Sequence, residues 1–286
     1  MAKESQTMKK LISGLLLASG VLAGGAAQAA GGAGIHMDQF PAAKVKDLAA
    51  LQNGARIFAN HCLNCHGATL MRWNRLQDIG LNDEQIRNFL IFGDQKVGDT
   101  MKVAMAAKDG KSWFGKTPPD LSVIVRARTS FDYKGTDYLY TLLRGYYRDS
   151  SAATGWNNIA YPNIAMPHIL WEQQGPREAR IVQVSHTDKG YVRTTSVYDA
   201  SGAVTRSVEP LSGHPKEGIE VAFKPADPAK ARQYDEDVAD LVAFLSFMTD
   251  PSASLRKRIG VWVLVFLVIF TGVAWWLNGK FWRDVR

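Results

Sequence analysis

Cysteine is scarce: Cys62 and Cys65 are the two in a chain of 286 residues. Both stand in one five-residue run, so neither a structural disulfide framework nor a four-cysteine zinc site is available. A charged domain is also missing. The formal net charge is +7, but Lys3, Lys9 and Lys10 against Glu4 give +2 in residues 1–10. Arg256, Lys257, Arg258, Lys280, Arg283 and Arg286 against Asp284 give +5 in residues 256–286, so residues 11–255 are neutral overall. A basic excess confined to the two ends makes no nucleic-acid-binding face, and no nucleic-acid partner is expected. The chain shows no Ser/His/Asp arrangement and no phosphate-cradling glycine loop, so nucleophilic catalysis and nucleotide binding have no motif to rest on.

What the two cysteines do form is Cys62-Leu63-Asn64-Cys65-His66, the C-x-x-C-H pattern of c-type haem attachment. Two thiols three positions apart on a helical turn can each add to a vinyl group of one porphyrin. The adjacent imidazole can then reach the iron. The competing reading, a redox dithiol in a colourless module, needs neither His66 nor a distal ligand.

The two basic ends flank apolar runs. Lys9 and Lys10 precede Leu11 to Ala27, and Ala27-Gln28-Ala29 has the small-x-small form of a signal-peptidase site, so residues 1–29 read as a secretory signal. From Ile259 to Leu277, 19 residues carry no charge, and at about 1.5 Å per residue they cross the roughly 30 Å hydrocarbon layer. Trp275, Trp276 and Trp282 stand where an interfacial aromatic belt would lie. Lys and Arg do not decide the orientation, with three on each side of this run. Export by the signal does: residues 30–255 become a periplasmic domain, and residues 256–286 a transmembrane anchor in the bacterial inner membrane with a short cytoplasmic tail.

Helical periodicity brackets the haem motif. Leu48, Leu51, Ala55 and Phe58 give an amphipathic stretch from Asp47 to Asn60 that runs into Cys62, with Phe58 one turn ahead on the face expected to meet the haem. Gly54 inside this stretch costs about 1 kcal/mol unless a close contact uses its missing side chain, for which a crossing helix is the obvious candidate. Val238, Leu241, Val242, Leu245 and Met248 predict that partner over Asp237 to Met248, with Asp235, Glu236 and Asp237 at its N-terminal end and Asp250-Pro251 closing it. A further helix is expected from Thr100 to Lys108, with Met101 and Met105 as core residues. Another is expected from Leu121 to Ala127, with Asp120 as its cap.

A distal iron ligand has to come from another segment. His61 stands beside the first cysteine, Met71 is too close behind His66, and Met248 belongs to an apolar stripe. His36, His186 and His214 read as surface residues. Met166 differs because Pro162 and Pro167 hold its loop extended, which presents a thioether rigidly; it is the preferred candidate, with His168 second. His/Met ligation leaves no open coordination site, so such a protein carries electrons. Residues 172–230 are polar and alternate in the β manner over Arg180 to Ser185, Tyr191 to Tyr198 and Ala203 to Val208. They predict a hairpin or three-stranded insertion.

Together, Cys62 to His66, Met71-Arg72-Trp73-Asn74-Arg75-Leu76, Thr117-Pro118-Pro119-Asp120-Leu121-Ser122 running on to Arg126-Ala127-Arg128, Leu142-Leu143-Arg144-Gly145-Tyr146, Ala165-Met166-Pro167 and the single C-terminal anchor closely resemble the cytochrome c1 family, over nearly the whole mature chain. The resemblance implies a mainly α c-type cytochrome fold with a β-rich insertion and one C-terminal transmembrane helix. It implies one covalently attached haem c, with thioethers at Cys62 and Cys65, axial ligands His66 and Met166, and Arg128 and Tyr138 near a propionate. It further implies a subunit of the dimeric cytochrome bc1 complex, held in membrane lipid on cytochrome b, that passes electrons from the Rieske iron-sulfur protein to a soluble cytochrome c. A free-standing anchored cytochrome serving a terminal oxidase is the alternative; it would not need the Pro118-Pro119-Asp120-Leu121-Ser122 segment.

Overall fold

The computed structural model describes residues 35–283; the N-terminal apolar run and the Ala27-Gln28-Ala29 site lie outside them. The elements are α1 (Leu48–Ile57), β1 (Ala68–Arg72), α2 (Asp83–Phe89), β2 (Thr100–Met101), α3 (Ala107–Phe114), α4 (Ile124–Ala127), α5 (Gly135–Arg144), β3 (Tyr146–Arg148), β4 (Trp156–Asn158), α6 (Trp171–Gln174), β5 (Arg177–Thr187), β6 (Gly190–Tyr198), β7 (Val204–Leu211), β8 (Gly218–Pro225), α7 (Pro228–Thr249) and α8 (Ala253–Phe281).

The body is built on the crossing of α1 and α7. Asp47 starts α1 by accepting from the backbone N–H of Ala49 and Ala50 at 2.9 and 3.4 Å. Such a side-chain oxygen stands in for the missing carbonyls of a preceding turn. Leu51, Ala55 and Phe58 are buried against Val238, Leu241 and Phe244 of α7, with the Phe58 and Phe244 rings 5.6 Å apart. Gly54 sits at the crossing, where a Cβ would overlap the Asp240 carbonyl and the Phe244 Cβ. The missing side chain therefore permits the close approach. Asp240, although buried, is partnered by Lys44 Nζ and Asn53 Nδ2, both at 2.9 Å.

Three local expectations are corrected. Helix α7 begins at Pro228, not Asp237, because Asp227 caps it at Ala229 N and Lys230 N and Pro228 presets the first helical φ. The helix expected over Thr100 to Lys108 is absent: Met101 pairs with Ala68 in a short antiparallel ladder, and the helix α3 starts at Ala107. Met101 is fully buried there, so its core role holds while its backbone is extended. The insertion has four strands in the order β7-β6-β5-β8, all antiparallel. The fourth, β8, is marked by alternating Ile219, Val221 and Phe223, and it returns to the free edge of β5 opposite β6.

Helix α8 follows α7 after Asp250. Its stretch Leu255–Phe281 contains an 18-residue window of mean hydropathy 2.3, none of it buried, which fits a single-pass membrane anchor; the basic residues at its ends stay near the polar layers.

Candidate haem site

The helix α1 does not stop at Ile57. One wider turn, Phe58–Cys62, continues it, with the N–H of Leu63 donating to the Phe58 carbonyl at 3.1 Å. Two tight bonds follow, from Cys65 N and His66 N to the Cys62 carbonyl at 3.1 and 2.8 Å. Cys62, Cys65 and His66 line a single cavity together with Pro118, Pro119, Leu121, Ile124 and Arg128, with Tyr138, Leu139 and Leu142 of α5, with Leu241 and Leu245 of α7, and with Tyr161 and Ile164 to Pro167. The six residues singled out in the sequence, Cys62, Cys65, His66, Arg128, Tyr138 and Met166, all line this one cavity. Phe58 does not: it is 1% exposed and packs on Phe244, so Leu241 and Leu245 take the place expected for it.

His66 Nδ1 lies 2.7 Å from the Pro119 carbonyl. A carbonyl oxygen only accepts, so Nδ1 carries the proton and Nε2 keeps its lone pair for a metal. Burial pushes the His66 pKa below the ordinary imidazole value, against the raising effects of the Pro119 bond and of Asp120, which favours the neutral ring. Burial also drives the Cys62 thiol up to about 12, with Cys65 adding to the shift; both cysteines are free.

The Pro119 carbonyl is held in turn by its neighbour. Asp120 accepts from Ser122 N at 2.8 Å and from Thr69 N and Oγ1, both at 2.9 Å. Burial raises this carboxyl, but the bonds from Ser122 and Thr69 outweigh that and hold it below the usual range. Asp120 is thus not the cap of the helix expected from Leu121; α4 starts only at Ile124, and Asp120 ties its loop to β1 beside His66. A close turn to Ser122 was the local alternative to a cap, and tertiary contact with Thr69 selects it.

Arg128 ends α4, and its guanidinium lies 5.6 Å from the centre of the Tyr138 ring. Burial raises the Tyr138 phenol and the Arg128 charge partly offsets this, so the phenol stays protonated as a donor at neutral pH. A guanidinium fork and a phenol suit a carboxylate.

The Met166 loop is held by groups that the sequence pattern did not single out. Asn158 Oδ1 accepts from Ala160 N at 2.9 Å and Tyr161 N at 3.2 Å, while its Nδ2 donates to the Leu142 carbonyl at 2.7 Å. Asn157 Oδ1 accepts from Asn163 N at 2.8 Å, where the backbone has φ 58°, and its Nδ2 donates to Asp149 at 3.0 Å. Both asparagines are buried. The available signal was two adjacent asparagines just before a proline-bounded loop. His168, the second candidate ligand, is buried away from the cavity lining: its ring stacks on Tyr146 at 4.5 Å and meets Trp156 at 4.8 Å. His61, set aside as a ligand, lines the cavity rim with its Nε2 3.3 Å from Gln173.

The residues fit a covalent haem: two free thiols, an imidazole with a committed tautomer and a mostly apolar cavity also lined by Met166. Fold and cavity together define a c-type cytochrome with a β-rich insertion and one C-terminal anchor. A model of the cytochrome c1 family matches residues 41–285. The chain is 37% identical to the ammonia monooxygenase gamma subunit of Nitrosomonas europaea over 252 residues, which are 88% of this chain and 90% of that protein. It is 34% identical to cytochrome c1 of Allochromatium vinosum over 273 residues, 95% of this chain and 99% of the relative. A cytochrome b/c1 of Bradyrhizobium diazoefficiens is 25% identical over 272 residues, 83% of this chain and 34% of that longer protein. The chain belongs to the cytochrome c1 family, electron-transport proteins that carry a covalently attached c-type haem.

Proposed function

We propose that this protein is the haem-carrying electron-transfer subunit of a bacterial cytochrome bc1 complex, taking electrons from the Rieske iron-sulfur protein and delivering them to a soluble cytochrome c. The observation that carries the reading is the convergence of Cys62, Cys65, His66 and Met166, from segments about a hundred residues apart in sequence, on one apolar cavity. Cys62 and Cys65 would hold the haem by thioethers, His66 and Met166 would ligate its iron, and Arg128 and Tyr138 would offer donors to a propionate. When bound, the haem supplies a one-electron iron couple. The chain's own residues exclude water with Leu139, Leu142, Leu241 and Leu245, keep the His66 tautomer fixed through Pro119, and hold both ligand loops rigid. A low-dielectric, preorganised surround favours small reorganisation on electron transfer.

The complex is the oxidoreductase; this chain does no acid-base or nucleophilic step. Helix α8 docks on cytochrome b in the lipid of the inner membrane, which keeps the donor near. The relative whose name joins cytochrome b and c1 supports that adjacency. The haem domain faces the periplasm, following export by residues 1–29, and the assembled complex is dimeric.

The test is the reduced optical spectrum and potentiometric titration of the membrane-extracted protein, wild type beside Met166→Leu, with a check for copurifying cytochrome b. A c-type spectrum, a high potential that collapses in the variant and cytochrome b in the same fraction are expected. An unchanged potential in the variant would move the distal ligand elsewhere. Haem without cytochrome b would indicate a free-standing carrier.

A further inference from the structure

Several contacts converge on the Met166 loop from the β3–β4 hairpin. Tyr146 and Asn158 stand opposite one another in that hairpin's register. Asn158 takes the N–H groups of Ala160 and Tyr161, where the loop begins. Tyr146, fully buried, donates its hydroxyl to the Met166 carbonyl at 3.1 Å. Just past the loop, the His168 ring lies parallel to the Tyr146 ring, 4.5 Å between centres and 6° between planes, with Trp156 edge-on at 4.8 Å. The far side of the hairpin is fixed as well: Arg177, the first residue of β5, donates from Nε to the Tyr146 carbonyl at 3.1 Å and from Nη2 to the Arg144 carbonyl at 2.6 Å.

We infer that the β3–β4 hairpin is a clamp on the distal-ligand loop, with Tyr146 the positioning residue that sets how firmly the Met166 thioether holds the iron. The inference rests on the reading of Met166 as the distal ligand. A thioether is a weak ligand, so its occupancy depends on how little the loop gains by swinging away. Tyr146 acts on the backbone of the very residue that ligates, and a phenol buried from water has no competing partner. Arg177 carries the clamp into the β5–β8 sheet, which gives the insertion a mechanical connection to the iron site.

The test uses the full-length holoprotein in detergent. Tyr146→Phe keeps the ring stack and removes only the hydroxyl. Expected are a covalently attached haem as in wild type, a weakened far-red methionine-to-iron band in the oxidised protein, a lower reduction potential, and about tenfold tighter binding of imidazole, which displaces the thioether. Tenfold is the share of one buried hydrogen bond. A purely structural role for Tyr146 would lower the melting temperature and leave imidazole affinity and potential at wild-type values, and that result overturns the proposal. Met166→Leu run in parallel separates the two levels. If it leaves the band and the potential intact, the ligand reading fails. If it abolishes the band while Tyr146→Phe changes nothing, the ligand reading stands and the clamp fails. Should Tyr146→Phe not accumulate, His168→Ala removes the other half of the stack and keeps the hydroxyl. About threefold tighter imidazole binding is expected there, and none overturns the clamp.

Discussion

The α1–α7 body and the β5–β8 sheet are held in opposite ways. In the body, residues from α1, α2, α5, α7 and the segment between β1 and α2 form one continuous apolar core in which Trp73, Leu76, Ile86, Val242 and Phe244 are essentially inaccessible. The sheet buries Ala179 and Tyr198, which cluster with Tyr147 of β3, and every residue of β7 except its last is exposed. Backbone ladders hold the sheet to itself, and a few side chains hold it to the body: Tyr147 against Tyr198 at 4.7 Å, and Arg177 on the carbonyls of Arg144 and Tyr146. A cofactor that must not shift is placed against the part where packing fixes every neighbour. The sheet meets the body through one aromatic pair and a few discrete polar contacts.

The sharpest way to break the contrast is at the helix crossing. Gly54→Ala puts a Cβ into the Asp240 carbonyl and the Phe244 Cβ, and overpacking at backbone contact should cost about 3 kcal/mol; a chemical denaturation midpoint well below wild type and poor haem incorporation are expected. Arg177→Met comes next. It strips the buried carbonyls of Arg144 and Tyr146 of their donor and should cost about 2 kcal/mol. Hydrogen exchange should rise at the β5 end of the sheet while the α1–α7 amides stay protected; equal loosening of both would end the idea that they are separately held.

A smaller effect separates the two regions by pH. Burial, and after it the Arg177 charge, hold the His168 imidazole down at about 3 from an ordinary 6.5. The unfolded chain therefore binds more protons between those values, and stability is present above pH 6.5 and declines as pH falls toward 3. His168→Phe should flatten that part of the stability profile; an unaltered slope would show that the ring is not the group responsible. The smallest effect is expected on the sheet surface. Arg193 and Glu209 pair at 3.1 Å with both side chains largely in water, so Arg193→Ala should change the denaturation midpoint by no more than about 0.5 kcal/mol.

Much of the body was legible because its signals are local and periodic. The Leu51–Ala55–Phe58 stripe and the Val238–Leu241–Leu245 stripe each name a face, although Leu48, expected on the first, is exposed at the start of α1, and Gly54 in the first announces a crossing partner. Where local preference met a competing contact, reading failed. Thr100–Met101 became a strand because Ala68 offered a ladder, and Asp120 turned from helix cap to cross-link because Thr69 came within reach. Phe58 pointed to the core because α7 presented Phe244 there. The candidate site divides the same way: the cysteines, His66 and Met166 carry chemistry in their identities, whereas Asn157, Asn158 and Tyr146 are ordinary residue types whose roles exist only in their contacts.

By itself the sequence determined the chemistry available and the places where helices could form. It set two thiols and an imidazole in one turn, a thioether between prolines, and one apolar run long enough for a membrane, since each of these depends on residue type and spacing along the chain. Only the tertiary structure decided which segments line the cavity together, which way His66 donates, and how Tyr146 holds the Met166 loop, because those depend on partners such as Pro119, 53 residues from His66, and Tyr146, 20 residues from Met166, that become neighbours when the core closes.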